Sequence, residues 1–404
     1  MAGPEERPGG PGSERAPAGA SAVVDAGPDG PASDGATSGS ALSPPDRDPV
    51  PPAALPRRHD VDWLRTLALV LLIAYHAAIT FRPWAAWIGF PTSAEPLDAL
   101  DAPMAALNVW RIPLLFWVSG MGVRFALERR GVGALILDRS LRILLPWAFG
   151  LFGLGIALAV LLGAVGWDRP WWPHFGHLWF LLNIYLYAVG LVGLLVHLRK
   201  RPDHALLRGL RRLLGWRAGP YLLALPLALE AALVDPVYFS LYVDTLHGWL
   251  LGLVCFLTGF LCACVREAFF PAALRLRWPS LVLATGLFLL RYLAFEREAE
   301  LDPLTALECT AWVLAAFGFA ARHLDRPSPA LALLSPAAYP VYVLHLPVQF
   351  LLSAWVLERT WPPAVQLTVL TAGTLALCFA AYRLVLRRLG PLGVLFGVGP
   401  SPRT

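Results

Sequence analysis

Residues 57–82 read RRHDVDWLRTLALVLLIAYHAAITFR, and this stretch decides the class of fold. Two arginines and two aspartates head a largely apolar run in which Arg65 and His76 stand out. About 20 apolar residues make one α-helix long enough to cross a hydrocarbon layer of about 30 Å. An arginine and a histidine inside such a helix are costly unless they face protein or a water-filled cavity. The stretch therefore reads as a transmembrane helix with one functional face. Arg65 and His76 lie eleven residues apart, which brings them within about 20° in azimuth and about 16 Å along the axis.

Similar apolar runs recur outward from it. The spacing predicts spans at 62–82, 104–126, 143–165, 178–198, 219–234, 248–265, 278–295, 304–321, 337–357 and 364–386, the fifth being the shortest. The fold class expected is all-α, a polytopic membrane protein of about ten transmembrane helices. Charged residues make up only 15% of the chain, against about 25% in soluble domains. No inverted repeat of the transporter kind is visible.

Arginines set the orientation. Arg57, Arg58, Arg129, Arg130, Arg139, Arg142, the run Arg199 to Arg217, Arg266, Arg275, Arg277, Arg322, Arg326, Arg387 and Arg388 fall in alternate loops. The other loops carry scattered arginines such as Arg82, Arg169, Arg297 and Arg359. Positive loops stay inside, so both termini are expected in the cytoplasm. Residues 1–57, rich in Pro, Gly, Ala and Ser, cannot bury enough apolar surface to fold and read as a disordered cytoplasmic tail without a signal-peptide core. Residues 58–390 form the expected membrane domain, and 391–404 a short C-terminal tail.

Several function classes drop out. No basic block interleaves with aromatics as nucleic-acid binding needs. Cys255, Cys262, Cys264, Cys309 and Cys378 sit in apolar runs without a CxxC, so they read as small buried hydrophobes rather than a metal site or disulfide framework.

The informative residues are ionisable groups within the spans: Arg65, His76, Arg111, Glu230, Arg291, Glu308 and His345. From helix direction most of them fall in one layer in the middle to outer half of the membrane. Spacing alone leaves Arg65 open to reading as an interfacial anchor and His76 as a packed, hydrogen-bonded side chain. Arg139 and Arg142, at i and i+3, offer planar forks suited to phosphate at the cytoplasmic mouth of the third helix, or simply anchor it. His177 opens the fourth helix after Trp171, Trp172 and His174, aromatics that suit either a sugar ring or an interfacial belt. Tyr339 and Tyr342 precede His345 on nearby turns, so His345 either lines a cavity with His76 or is structural.

Five stretches together resemble the acyltransferase-3 family of membrane acyltransferases, and within it the glucan-biosynthesis protein C branch, which transfers succinyl groups. They are Arg57 to Arg65 with His76, matching the family's basic residue, ten-residue spacer and histidine; Arg111 to Gly120; the Arg139/Arg142 pair; His177 to Leu181; and Tyr339 to His345. The resemblance covers about residues 57–390 and implies transfer of an acyl group from a cytoplasmic acyl-CoA, acetyl- or succinyl-CoA-like, to a hydroxyl of a cell-surface carbohydrate, glucan or lipid-linked acceptor. No bound cofactor is implied; membrane lipid is the expected surrounding partner. His76 would act as general base or transient acyl carrier, with Arg65 supporting it. Arg111 or Arg291 would stabilise the oxyanion. Arg139 and Arg142 would hold the donor phosphates. Glu230, Arg291, Glu308, Tyr339, Tyr342, His345 and His177 are candidates to line the cavity. The competing expectation is a proton-coupled transporter or exporter, with Glu230, Glu308 and the histidines as its relay.

Overall fold

The computed structural model describes residues 57–164, 166, 176–294 and 302–399. The expected N-terminal tail up to residue 56 lies outside them, as do Arg169, Trp171, Trp172, His174 and Arg297.

The described residues form helices joined by turns and loops, with no strand among them. In chain order the helices are α1 (His59–Ile79), α2 (Asp98–Arg129), α3 (Val132–Ala164), α4 (Gly176–Gly190), α5 (Val192–Lys200), α6 (Ala205–Gly215), α7 (Gly219–Val234), α8 (Leu246–Cys264), α9 (Arg266–Ala294), α10 (Asp302–His323), α11 (Pro329–Val356) and α12 (Pro363–Arg388). Eight of them are long and apolar enough to cross a membrane. The α4–α5 pair, bent by 57° around Leu191, makes a ninth segment, and the shorter apolar α7 corresponds to the fifth and shortest run. The chain is an all-α, multi-pass membrane protein.

Two helix starts differ most from those read off hydropathy. Helix α9 starts at Arg266 rather than near 278 and runs through Pro271 and Pro279. Its first turns bury Phe269, Phe270, Ala272 and Ala273 against the core, and that burial holds helical a segment whose arginines look like a loop. Helix α3 likewise begins at Val132, ahead of the apolar run, and carries two widened π turns, at Ser140–Leu144 and Gly150–Leu154. Only 17% of its most apolar window is buried, against 67% for α2 and α10.

The core is a layer of large aromatics between α2, α8, α9 and α10. Phe116, Trp117, Phe256, Phe260, Phe269 and Phe317 are all fully buried there. Two glycines let α2 and α8 meet backbone to backbone. A Cβ on Gly120 would lie 1.9 Å from the Phe256 carbonyl oxygen, and one on Gly259 would lie 2.1 Å from that of Trp117. Lipid tails are as apolar as leucine, so helices associate in a bilayer through such close packing.

Helix α1 is enclosed by α2, α10, α11 and α12. Its head is clamped by Arg58, which bonds Asp60, reaches Asp325 at 3.0 Å and lies 3.6 Å above the Phe270 ring. The His59 backbone amide donates to the same Asp325 at 3.0 Å. The segment expected as a C-terminal tail is folded over its described part. Its turn at Gly390–Phe396 sets Phe396 edge-on to Phe149 of α3, with ring centroids 5.0 Å apart.

The glycine contact gives opposite signs for two similar changes. Gly122 has open space where a Cβ would go, so Gly122→Ala should stabilise by about 0.5–1 kcal/mol through helix propensity. Gly259→Ala should instead destabilise by about 1–3 kcal/mol by prying α8 from α2. Thermal melting of the two purified variants checks the contrast.

Candidate active site

Helix α11 builds the centre of the site. Tyr342 and His345 are buried on one face, three residues apart. Pro347, inside the same helix, has no amide hydrogen and leaves the carbonyl of Val343, four residues earlier, without its helical donor. His177, at the head of α4, takes that place, its Nε2 donating to the Val343 oxygen at 3.3 Å. The Tyr342 hydroxyl donates in return to the His177 carbonyl. Two reciprocal bonds thus stitch α4 to α11, and the His177 and His345 rings meet edge to face at 4.8 Å.

His345 in turn fixes His76. The His345 Nδ1 lies 2.5 Å from the Tyr342 carbonyl oxygen, which can only accept, so Nδ1 carries the hydrogen. In the neutral ring Nε2 is then an acceptor, and it faces His76 Nδ1 at 2.9 Å. His76 therefore donates through Nδ1 and keeps a free lone pair on Nε2. The two rings lie parallel, centroids 5.2 Å apart with 7° between planes. His345 is fully buried, whereas His76 is only half-buried. Phe90, from the segment joining α1 and α2, covers His76 at 5.8 Å and leans on Phe350 of α11.

Arg111 stands beside this pair. Pro113 frees the carbonyl of Val109 as Pro347 frees that of Val343, and the helix breaks at Val109–Trp110. The Tyr242 hydroxyl repairs the break, reaching the Val109 oxygen at 3.0 Å and that of Asn108 at 3.1 Å. The Arg111 side chain leaves the break buried, 3.3 Å above the ring of Tyr75, the residue before His76. Its Nη2 donates to Asn108 Oδ1 at 3.3 Å, and Nε and Nη1 have no hydrogen-bond acceptor among the described residues. Through Tyr75 the guanidinium is held against the same turn of α1 that carries His76.

The remaining candidates fall elsewhere. Arg65 does not reach His76; it bonds Ser335, just before the His345 segment of α11, at 2.7 Å and Asp62 at 3.4 Å. Arg139 buries an unpartnered Nε, while Arg142 pairs with Asp138 at 2.8 Å. The widened turn at Ser140 spreads these two arginines further apart in azimuth than an ideal i, i+3 pair. The guanidinium of Arg142 also packs on Gly399, where a Cβ would lie 2.9 Å away, and Tyr339 packs on Gly397. Glu230 bonds His247 Nδ1 at 3.0 Å, and Arg291 forks onto Glu308 at 2.8 and 3.0 Å. Both carboxylates are thus bound to cations or donors outside the histidine cluster and do not continue it as a relay. The sequence reading passed over Tyr75, Asp138, Tyr242 and His247. Only His247, an ionisable group just outside a span boundary, left a signal that a wider window would have caught.

A family model described as an acyltransferase domain matches residues 58–383, from the Arg58 clamp into the last turns of α12. The chain belongs to the acyltransferase-3 family. No curated protein and no solved structure matches it. The protein is an enzyme, an acyltransferase embedded as a bundle of apolar helices, and family membership removes the ground for the transporter reading. The histidine cluster lies wholly within the matched acyltransferase domain.

The proline argument predicts a trade between stability and turnover in this acyltransferase. Pro347→Ala returns an amide hydrogen to the Val343 carbonyl, relieving a helix-interior cost of about 3 kcal/mol, and displaces His177. The variant should melt higher, while turnover should fall roughly fivefold to tenfold for one lost orienting hydrogen bond. Melting and acyl transfer measured on one preparation test both arms.

Proposed function

We propose that the chain is a membrane O-acyltransferase that moves an acyl group from a cytoplasmic acyl-CoA to a hydroxyl of a cell-surface carbohydrate, glucan or lipid-linked acceptor. In this reading it sits in the cell membrane with both termini in the cytoplasm. The five motifs favour the glucan-biosynthesis protein C branch, and with it a succinyl donor over an acetyl one. The observation that carries the reading is the chain Tyr342 carbonyl, His345, His76, which leaves a lone pair on His76 Nε2 next to an arginine with unused donors.

The chemistry follows from that arrangement. His76 Nε2 takes the proton of the acceptor hydroxyl as its oxygen attacks the thioester carbonyl. The positive charge that forms on His76 is stabilised through Nδ1–H by His345 Nε2, itself held by the Tyr342 carbonyl. The oxyanion is met by the spare donors of Arg111. Collapse breaks the carbon–sulfur bond, the imidazolium returns its proton to the thiolate, and ester and free thiol result. The same lone pair would serve a transient acyl-histidine. At the arginine-rich end Arg139 and Arg65 would hold donor phosphates, with Arg142 joining once it leaves Asp138.

Transfer of labelled acetyl and succinyl groups from CoA by purified, reconstituted protein tests the proposal. His76→Ala should lose about 10²–10⁴-fold in turnover and still bind CoA, whereas replacing Arg65 and Arg139 by Gln should weaken CoA binding. Near-wild-type turnover in His76→Ala sinks the mechanism. For the orientation, reporter fusions after Pro91 and Arg297 should read outside and one after Arg212 inside.

A further inference from the structure

A second polar group shares the face of α11 that carries His345. Gln349 follows it by four residues, one helical turn. It is fully buried, and neither its Oε1 nor its Nε2 has a hydrogen-bond partner among the described residues. Both neighbours along this stripe, His345 and Ser353, are buried and bonded. A buried amide with neither end satisfied costs free energy that a leucine or methionine would not. It stands where the next residue, Phe350, meets Phe90, the ring that covers His76.

We infer that Gln349 is an acceptor-binding residue that grips a second hydroxyl of the molecule whose first hydroxyl reacts at His76. The inference rests on the acyl-transfer reading above and adds what the acceptor must look like. A carboxamide offers one acceptor and one donor side by side. That is the complement of two neighbouring hydroxyls, one donating to Oε1 and the other accepting from Nε2. Gln349 lies about 6 Å along the helix from His345, a distance that a single monosaccharide covers. The ligand class is thus a polyol with a vicinal diol close to the reacting hydroxyl, a sugar ring rather than a simple alcohol. The amide is satisfied only when acceptor is bound, so ligand-free protein bears the cost and recovers it on binding. A site built to bond a hydroxyl rejects the analogue that lacks it, because its polar group is then left unpaired.

The test uses two probes with purified, reconstituted protein and acyl-CoA. Methyl glucoside carries vicinal diols beside its primary hydroxyl; cyclohexylmethanol presents a similar ring and the same primary hydroxyl without them. Wild type should prefer methyl glucoside. Gln349→Met, close in volume, should lose roughly tenfold or more in kcat/KM for methyl glucoside without lowering transfer to cyclohexylmethanol, so that the preference between the probes collapses. Ligand-free Gln349→Met should also melt higher than wild type, since it replaces an unsatisfied amide by an apolar chain. An unchanged preference between the probes overturns the inference. A lower melting temperature overturns it too, because that shows an amide already bonded to protein or water. Failure of the parent reading looks different: His76→Ala would keep turnover, while methyl glucoside would still raise the melting temperature of wild type and not of Gln349→Met.

Discussion

Within a hydrocarbon layer every backbone carbonyl needs a donor, and the site of this protein is organised by two carbonyls that lost theirs. Pro113 and Pro347 each unbond a carbonyl in the preceding turn. Side chains from other helices supply the missing hydrogen: Tyr242 at Val109 and His177 at Val343. Each repair places an ionisable group. The first turns Arg111 out of the helix break and onto Tyr75; the second brings His177 against His345. The positions of the polar groups thus follow from the need to satisfy backbone, and the rigid aromatic layer behind them, closed by the glycine contact of α2 with α8, keeps the repairs from drifting.

The hydrogen-bond order along Tyr342, His345 and His76 has the logic of a carboxylate–histidine pair without a carboxylate. A backbone carbonyl orients the first ring and the first ring orients the second. Neutral partners suit a buried setting, because neither ring of the pair carries a charge that would need a carboxylate to compensate it. In the proposed mechanism, charge develops on the pair only as the acceptor proton arrives, and Arg111 is the group that would meet the oxyanion.

Much of this was legible in the sequence. The interval from Arg65 to His76 does align both residues on α1, and the apolar runs mark the spans because length and composition are direct consequences of bilayer thickness. His345 could be paired with His76 only as one of two readings, since sequence shows which residues share a helix face but not which faces meet. The same gap hid the partners. Glu230 and Glu308 looked available until His247 and Arg291 were seen beside them, and Arg142 looked free until Asp138 closed on it. The start of α9 was illegible for another reason: its arginine-rich first turns are held by phenylalanines buried against distant helices. Gln349 falls on the stripe of His345 and Ser353 at helical spacing, but what sets it apart is the absence of a partner among the described residues, which spacing cannot show.

The loosely buried α3 has a consequence of its own. Its 33 residues make it longer than an average hydrocarbon layer needs, and with so little of its apolar window buried in protein it faces lipid, where an over-long helix accommodates by tilting. The histidines, by contrast, belong to α1 and α11, which are enclosed by neighbours. Arg139 and Arg142 therefore ride on an element that responds to bilayer thickness, while the His76 imidazole does not. In the proposed reaction the distance from α3 to His76 becomes a property of the surrounding lipid as well as of the chain, so a thinner or thicker bilayer would alter how far a donor held on α3 must extend toward His76.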